Sequence, residues 1–249
     1  MRKFSKLIAT ALCAASLGAF GSASAALVSF ENITGSWSAI DPAAGISVSN
    51  NGTANPSLRW GNPATNRGQS GYDFNGAADT SVDVPPNTNV ALGTFTHRNN
   101  PITGTSLNEA TLTVAIDIVV DGQAQGSRNF MFDFSHEETP NGANPCANGD
   151  ANGSGVNVNG CADLVTVTDS ILSEDFLVNG VLYTIAILGF EVDGNIVSTF
   201  ETIEKMKNRA KLIGYVAVSE VPIPAAIPLF LSGIAGLGFA GRMKKKQKA

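Results

Sequence analysis

Between positions 26 and 220, apolar and polar residues alternate with a period of two, in runs closed by Gly, Asn, Asp and Pro. That period sends successive side chains to opposite faces of a strand. The second half of the chain shows it most cleanly. Leu112, Val114, Ile116 and Ile118 share one face of a strand over 109–120, and Phe130, Phe132 and Phe134 share one face over 128–136. Asp121-Gly122 lies between them as a hairpin signal. Further strands are expected at 163–167, 174–178, 181–192, 195–201 and 212–219, with turns at Asn179-Gly180 and Asp193-Gly194. The first half predicts shorter strands at 27–33, 37–40, 46–49, 57–60, 71–75, 80–84 and 90–97. Thr34-Gly35-Ser36, Asp41-Pro42, Gly61-Asn62-Pro63 and Pro85-Pro86 separate them. Residues 202–210 fit either a charged loop or one amphipathic helical turn with Ile203 and Met206 inward. The expected fold is all-β, a single antiparallel β-sandwich of jelly-roll type over residues 26–220.

Two apolar runs interrupt this pattern, one near each end. Residues 1–25 read as a secretory signal-peptide helix: Arg2, Lys3 and Lys6 precede an apolar region over 7–20, and Ala23-Ser24-Ala25 supplies a small-x-small cleavage site. Cleavage between Ala25 and Ala26 is expected. Residues 221–249 open with Val221-Pro222-Ile223-Pro224, continue as an uncharged apolar run over 225–241, and close on a basic tail over 242–249 that starts at Arg242. At about 1.5 Å rise per residue, that run approaches the lower limit for a transmembrane helix across roughly 30 Å of hydrocarbon. Lysines flank both runs on the side that the positive-inside rule assigns to the cytoplasm, which places 26–220 outside the inner membrane.

Removing both ends changes the charge. All 21 acidic residues fall between Glu31 and Glu220, whereas eight of the 16 basic residues lie in the two end segments. The remaining domain carries eight cations against 21 anions, a net of −13. A surface of that sign excludes nucleic acid as a partner, since phosphates need basic contacts. Cys13 leaves with the signal peptide, so Cys146 and Cys161 remain as an even pair in an oxidising compartment, and a disulfide is expected. The intervening CANGDANGSGVNVNGC has no apolar core of its own. It reads as an exposed hairpin-like loop stapled by the bridge, which offsets about 3 kcal/mol of loop entropy.

Chemistry-bearing constellations are sparse. The chain has two histidines, His97 and His136, both at strand ends. One reading pairs them as metal ligands with Asp133 or Glu137. The other, taken here, has each imidazole hydrogen-bonded to a neighbouring turn, so no catalytic, cofactor or metal residue is assigned. No Gly-x-Ser-x-Gly elbow is present, and carboxylates abundant in an acidic protein do not single out a glycosidase pair. The expectation is a protein that is not an enzyme. Trp60 and Tyr72, in turn-flanked positions, are the candidates for stacking on a sugar ring; burial in the core is the competing expectation.

The tail resembles the PEP-CTERM sorting signal of Gram-negative bacteria that make exopolysaccharide. Pro222-Ile223-Pro224 stands where Pro-Glu-Pro is commoner, followed by Ala225-Ala226 and by Leu229-Phe230-Leu231-Ser232-Gly233. Thr96-His97-x-Asn99 with Asn100-Pro101-Ile102 resembles the hallmark of the THxN family of such proteins. Gly35-x-Trp37, Arg59-Trp60-Gly61, Ser70-Gly71-Tyr72-x-Phe74, and Pro145-Cys146 through Gly160-Cys161-Ala162-Asp163 look like its other landmarks. The resemblance implies processing by signal peptidase and by exosortase, a membrane transpeptidase that cuts near the Pro motif. A brief stay in the inner membrane would be followed by delivery to the cell surface or medium. It implies a structural or interaction role with exopolysaccharide or biofilm matrix, and it brings no catalytic residues. A lectin-like carbohydrate-binding module is the alternative, and a polysaccharide-acting enzyme stands third.

Overall fold

The computed structural model describes residues 26–84, 87–171 and 173–220. The predicted signal peptide and the segment from Val221 onward, with Pro222, Ile223, Pro224 and Arg242, lie outside the described residues.

In chain order the strands are β1 (Ala26–Asp41), β2 (Ser47–Ser49), β3 (Ser57–Trp60), β4 (Asn62–Pro63), β5 (Ser70–Gly76), β6 (Thr80–Val84), β7 (Thr88–Asn99) and β8 (Ile102–Thr103). They continue as β9 (Glu109–Val120), β10 (Gln123–Glu137), β11 (Asp163–Ile171), β12 (Ser173–Val178), β13 (Val181–Val192), β14 (Asn195–Val197), β15 (Thr199–Thr202) and β16 (Met206–Glu220). Among the described residues the helical content is one 3-10 turn, Gly155–Asn157. The fold is all-β. One sheet runs β15-β11-β10-β9-β1-β6, the other β12-β13-β16-β7-β5-β3-β2 with β14 on β13, and β4 pairs β8 separately. Every pairing of strands is antiparallel.

Inward residues of both large sheets merge into one buried core, an arrangement consistent with a β-sandwich. Leu112, Val114, Ile116 and Ile118 are all buried on one face of β9, as the alternation requires. Phe130, Phe132 and Phe134 do the same on β10. Each such side chain contributes roughly 1.5–3 kcal/mol of transfer free energy. Asp121-Gly122, Asn179-Gly180 and Asp193-Gly194 all turn with positive φ at both residues, the geometry a two-residue hairpin demands.

Three expectations need correction. Thr34-Gly35-Ser36 does not divide two strands: β1 runs through it, with register shifts between Glu31 and Thr34 and between Ser38 and Asp41. Gly35 is needed there for closeness, because a Cβ would meet Phe74 Cδ1 and Pro56 Cγ at 2.9 Å. Second, the strand expected at 195–201 is two strands in different sheets, β14 on β13 and β15 on β11. Third, the segment 202–210 is neither loop nor helix through its second half. β16 starts at Met206 because Met206, Lys207, Asn208, Arg209 and Ala210 pair with Asn99 back to Phe95 on β7. Met206 is exposed, not inward, and the turn before it, with Lys205 at φ 64°, buries Glu204 instead.

Candidate functional site

At one end of the sandwich, the inward rows of several strands stop being apolar. On β7 the row Phe95, His97, Asn99 replaces ring by imidazole and then by amide, all buried. On β10 the row of phenylalanines continues into His136. On β11 Val165 is preceded by buried Asp163, and on β15 Phe200 is followed by buried Thr202, then by Glu204 in the turn. Register brings them together within each sheet: His97 lies opposite Tyr72, His136 opposite Val165, and Asp163 opposite Thr202. The sandwich then faces one set toward the other.

The result is a sealed polar knot. His97 and Asp163 are 0% exposed and His136 5%. The imidazole centroids are 5.1 Å apart and near perpendicular. One ligand-type atom from each of His97, His136 and Asp163 lies within 4.8 Å of the others. Aromatic walls hold them: Trp60 stacks on His97 at 5.8 Å and meets His136 edge-on at 5.1 Å, while Tyr72 presents its edge to both.

Each ligand-type side chain has one atom tied back and one left over. Thr202 Oγ1 donates its single proton to the Asp163 carbonyl at 3.2 Å. His97 Nδ1 lies 2.9 Å from Thr202 Oγ1; with the hydroxyl proton on the Asp163 carbonyl, Nδ1 donates in that pair and the lone pair of His97 falls on Nε2. His136 Nδ1 is paired with Tyr72 Oη at 2.7 Å. Asp163 Oδ1 accepts from the Thr139 amide at 2.9 Å. Asn99 donates Nδ2 to the Thr202 carbonyl at 2.9 Å, which fixes the orientation of its amide. Left without a hydrogen bond are His97 Nε2, His136 Nε2, Asp163 Oδ2, Asn99 Oδ1, Asn141 Oδ1 and both Glu204 oxygens, together with the indole N–H groups of Trp37 and Trp60. Glu138 Oε2 comes within 3.5 Å of His136 Nε2, too far for a good hydrogen bond.

Electrostatics match this enclosure. Burial pushes the Asp163 carboxyl up to about 9, with Glu138 and Glu204 adding to the rise and the Thr139 amide opposing it. Glu204 is raised to about 7, first by burial and then by Glu138, with Lys205 opposing. Burial, then the neighbouring His136, lowers His97 well below the usual imidazole range. Two imidazoles and a cluster of carboxyl groups form a donor set for a cation, with no nucleophile aligned against a base among the groups just described.

The disulfide loop closes this end. Cys146 and Cys161 are bridged, and both are buried, at 4% and 0% exposure. The bridge was expected; its two cysteines are buried while most of the loop that they staple is exposed. Ala162 and Asp163 follow Cys161 directly into β11, so the bridge anchors the strand that delivers the carboxylate. Asparagine side chains serve the loop in place of an apolar core. Asn157 Oδ1 accepts from the Ala162 amide at 2.9 Å, and Asn152 Nδ2 donates to the carbonyls of Asn141 and Ala143 at 2.9 Å.

On the outer face of the same strands, Asp73 is held between Arg59 and Arg98, with Arg98 Nε at 2.6 Å. Arg59 Nη1 also donates to the Leu58 and Tyr72 carbonyls at 2.8 Å. Gly71 makes room for that guanidinium, since a Cβ would stand 2.3 Å from Leu58 O and 2.7 Å from Arg59 Cδ. Arg59-Trp60 and Tyr72-Asp73 thus each point one side chain in and one out.

The stacking role for Trp60 and Tyr72 does not survive. Both are 0% exposed, packed edge-to-face at 4.9 Å against each other and against the imidazoles, so neither offers a face to a sugar. The turn-bonding role for the histidines is also replaced, because their partners Tyr72 and Thr202 are distant in sequence. Of the acids considered with them, Asp133 accepts from Thr111 on the neighbouring strand and Glu137 is exposed; the carboxylate present is Asp163. Of the THxN residues, His97 and Asn99 enter the knot, Thr96 lies on the opposite face of β7, and Pro101 uses its carbonyl to accept from Ala64 at 3.0 Å. Sequence reasoning missed Glu204 and Thr202, hidden in a charged segment. Asp163 carried a signal: an acid at the head of the apolar run Leu164 to Val167. Searches of family models and of curated proteins return no match to this chain.

Proposed function

We propose that the chain is an exported protein of the THxN type, sorted by exosortase, whose jelly-roll-like domain has a structural or interaction role in exopolysaccharide or biofilm matrix. Signal peptidase cuts before Ala26, the 225–241 segment holds the precursor in the inner membrane, and a second cut near Pro222-Ile223-Pro224 delivers the domain to the surface or medium. The observation that carries the reading is the pair of end signals in the sequence, enclosing a domain with a net charge of −13. The buried Cys146–Cys161 bridge supports it, because such bridges form in oxidising compartments outside the cytoplasm. A non-enzymatic role is supported by the placement of the histidines, Asp163 and Glu204, all turned inward away from any macromolecular substrate.

The test is mass spectrometry of the extracellular fraction of the producing cell. The expected product starts at Ala26 and ends near Pro224. A mature extracellular form retaining 225–249 overturns the sorting step. Unchanged release after replacing Pro222 and Pro224 with Ala does the same.

A further inference from the structure

We propose that His97, His136 and Asp163 form a buried site for one divalent transition-metal ion of the zinc type, held between the two sheets. The site is independent of how the ends of the chain are processed.

The argument rests on a surplus of acceptors. Buried polar atoms are almost always paired, because an orphan forfeits its bond to water without replacement. Most of the unpaired atoms at this end are acceptors, set against the indole N–H of Trp60 in the wall, and one ligand-type atom from each of His97, His136 and Asp163 lies within 4.8 Å of the others. His97 Nε2 is a lone pair when Thr202 bonds the Asp163 carbonyl, Asn99 Oδ1 is an acceptor by its amide orientation, and Asp163 Oδ2 becomes one when an ion displaces the carboxyl proton. His136 Nε2 joins them once Nδ1 donates to Tyr72 Oη. A cation that displaces the Asp163 proton satisfies these acceptors together. A single water supplies two protons, fewer than the orphans present.

The ligand chemistry selects the ion. Two imidazole nitrogens and one carboxylate oxygen suit zinc and its neighbours; calcium takes six to eight oxygens. Bonds of about 2.0–2.1 Å would bring the ligand atoms to about 3.3 Å from one another in a tetrahedral site. From separations within 4.8 Å, modest side-chain rotation reaches that. The other ring nitrogen of each histidine and the other oxygen of Asp163 are already held by Thr202, Tyr72 and Thr139, the outer partners that orient metal ligands. Glu204 and Glu138 add negative charge beside the site. Because the ligands come from β7, β10 and β11, the unfolded chain does not assemble them, and the ion stabilises the folded state.

The test uses the full chain purified in detergent, stripped with chelator and equilibrated with Zn²⁺, Mn²⁺ or Ca²⁺ alone. One Zn²⁺ per chain is expected by elemental analysis, with a rise in Tm of at least about 5 °C at a hundredfold excess over Kd. Ca²⁺ at the same concentration is expected to leave Tm unchanged. Asp163→Asn keeps the shape and the Oδ1 acceptor and should weaken Zn²⁺ binding at least tenfold, whereas Asp133→Asn should bind as the parent does. Absence of binding by a cooperatively folded parent overturns the proposal. So does equal binding by parent and Asp163→Asn, which would put the ion elsewhere on the acidic surface. Should Asp163→Asn fail to fold, X-ray absorption at the zinc edge of the parent reads the ligands directly: two imidazoles support the site, and an all-oxygen shell overturns it.

Discussion

The two ends of the sandwich are built on different physics. At one end, Val28, Ile116, Ile118, Val120, Ile185 and Val216 meet in a wholly apolar core. At the other, the same alternating rows terminate in His97, Asn99, His136, Asp163 and Thr202, walled by Trp60 and Tyr72. The apolar end depends on volume and pattern, and comparable side chains can substitute for one another at small cost. The polar end depends on each group finding its one partner, and a group that loses it becomes a buried orphan. Placement of the disulfide follows the same division, since it closes the end where packing alone does least.

Breaking the apolar side should produce the largest effect. Phe132→Ala removes a ring that is 1% exposed and should destabilise the domain by about 3–5 kcal/mol in denaturant unfolding, equally with and without Zn²⁺. Replacing both Cys146 and Cys161 by Ser should cost about 3 kcal/mol and raise amide exchange at Thr139 and Asp163 before it does so in β9. Tyr72→Phe deletes one hydroxyl and leaves His136 Nδ1 unpaired. It should cost about 1–2 kcal/mol and weaken Zn²⁺ binding about tenfold, a coupling that Phe132→Ala should lack. Smallest is Asp73→Asn on the outer face: its arginine partners are part-exposed, so at most about 1 kcal/mol is expected, falling with added salt. A Tyr72→Phe variant that bound Zn²⁺ like the parent would erase the distinction between the two ends.

Much of the strand layout was legible because its causes are local. Strands 57–60, 80–84, 109–120 and 181–192 follow from alternation and turn residues, and the structure places β3, β6, β9 and β13 at those bounds. Bulges were less visible. In β1 the chain bends at Asn32 and Ala39 without ending, and turn residues inside a continuous strand look like a break. β16 began earlier than its own residues suggested because its partner was already determined by β7.

The polar site was half legible. Alternation carried Phe130, Phe132 and Phe134 forward to His136, so an inward histidine was implicit in the pattern once the row was extended by one step. His97 follows Phe95 in the same way. Their meeting was not implicit, since it depends on which sheets face each other and on the register of six strands. Glu204 looked like one more acid among 21, and Asp163 stood out only as the head of an apolar run. Burial alone sets them apart, and burial is a property of the assembled sheets.

Period-two patterning, the Asx-Gly turns and the cysteine pair were thus enough to specify an all-β domain, most of its strands and the Cys146–Cys161 bridge, because each depends on residues near in sequence. Tertiary structure decided the rest: that two aromatic rings proposed for sugar binding are walls, and that two histidines lie 5.1 Å apart beside a buried carboxylate. Those outcomes arise from contacts between distant strands, whose geometry is settled only when two sheets close on a common core.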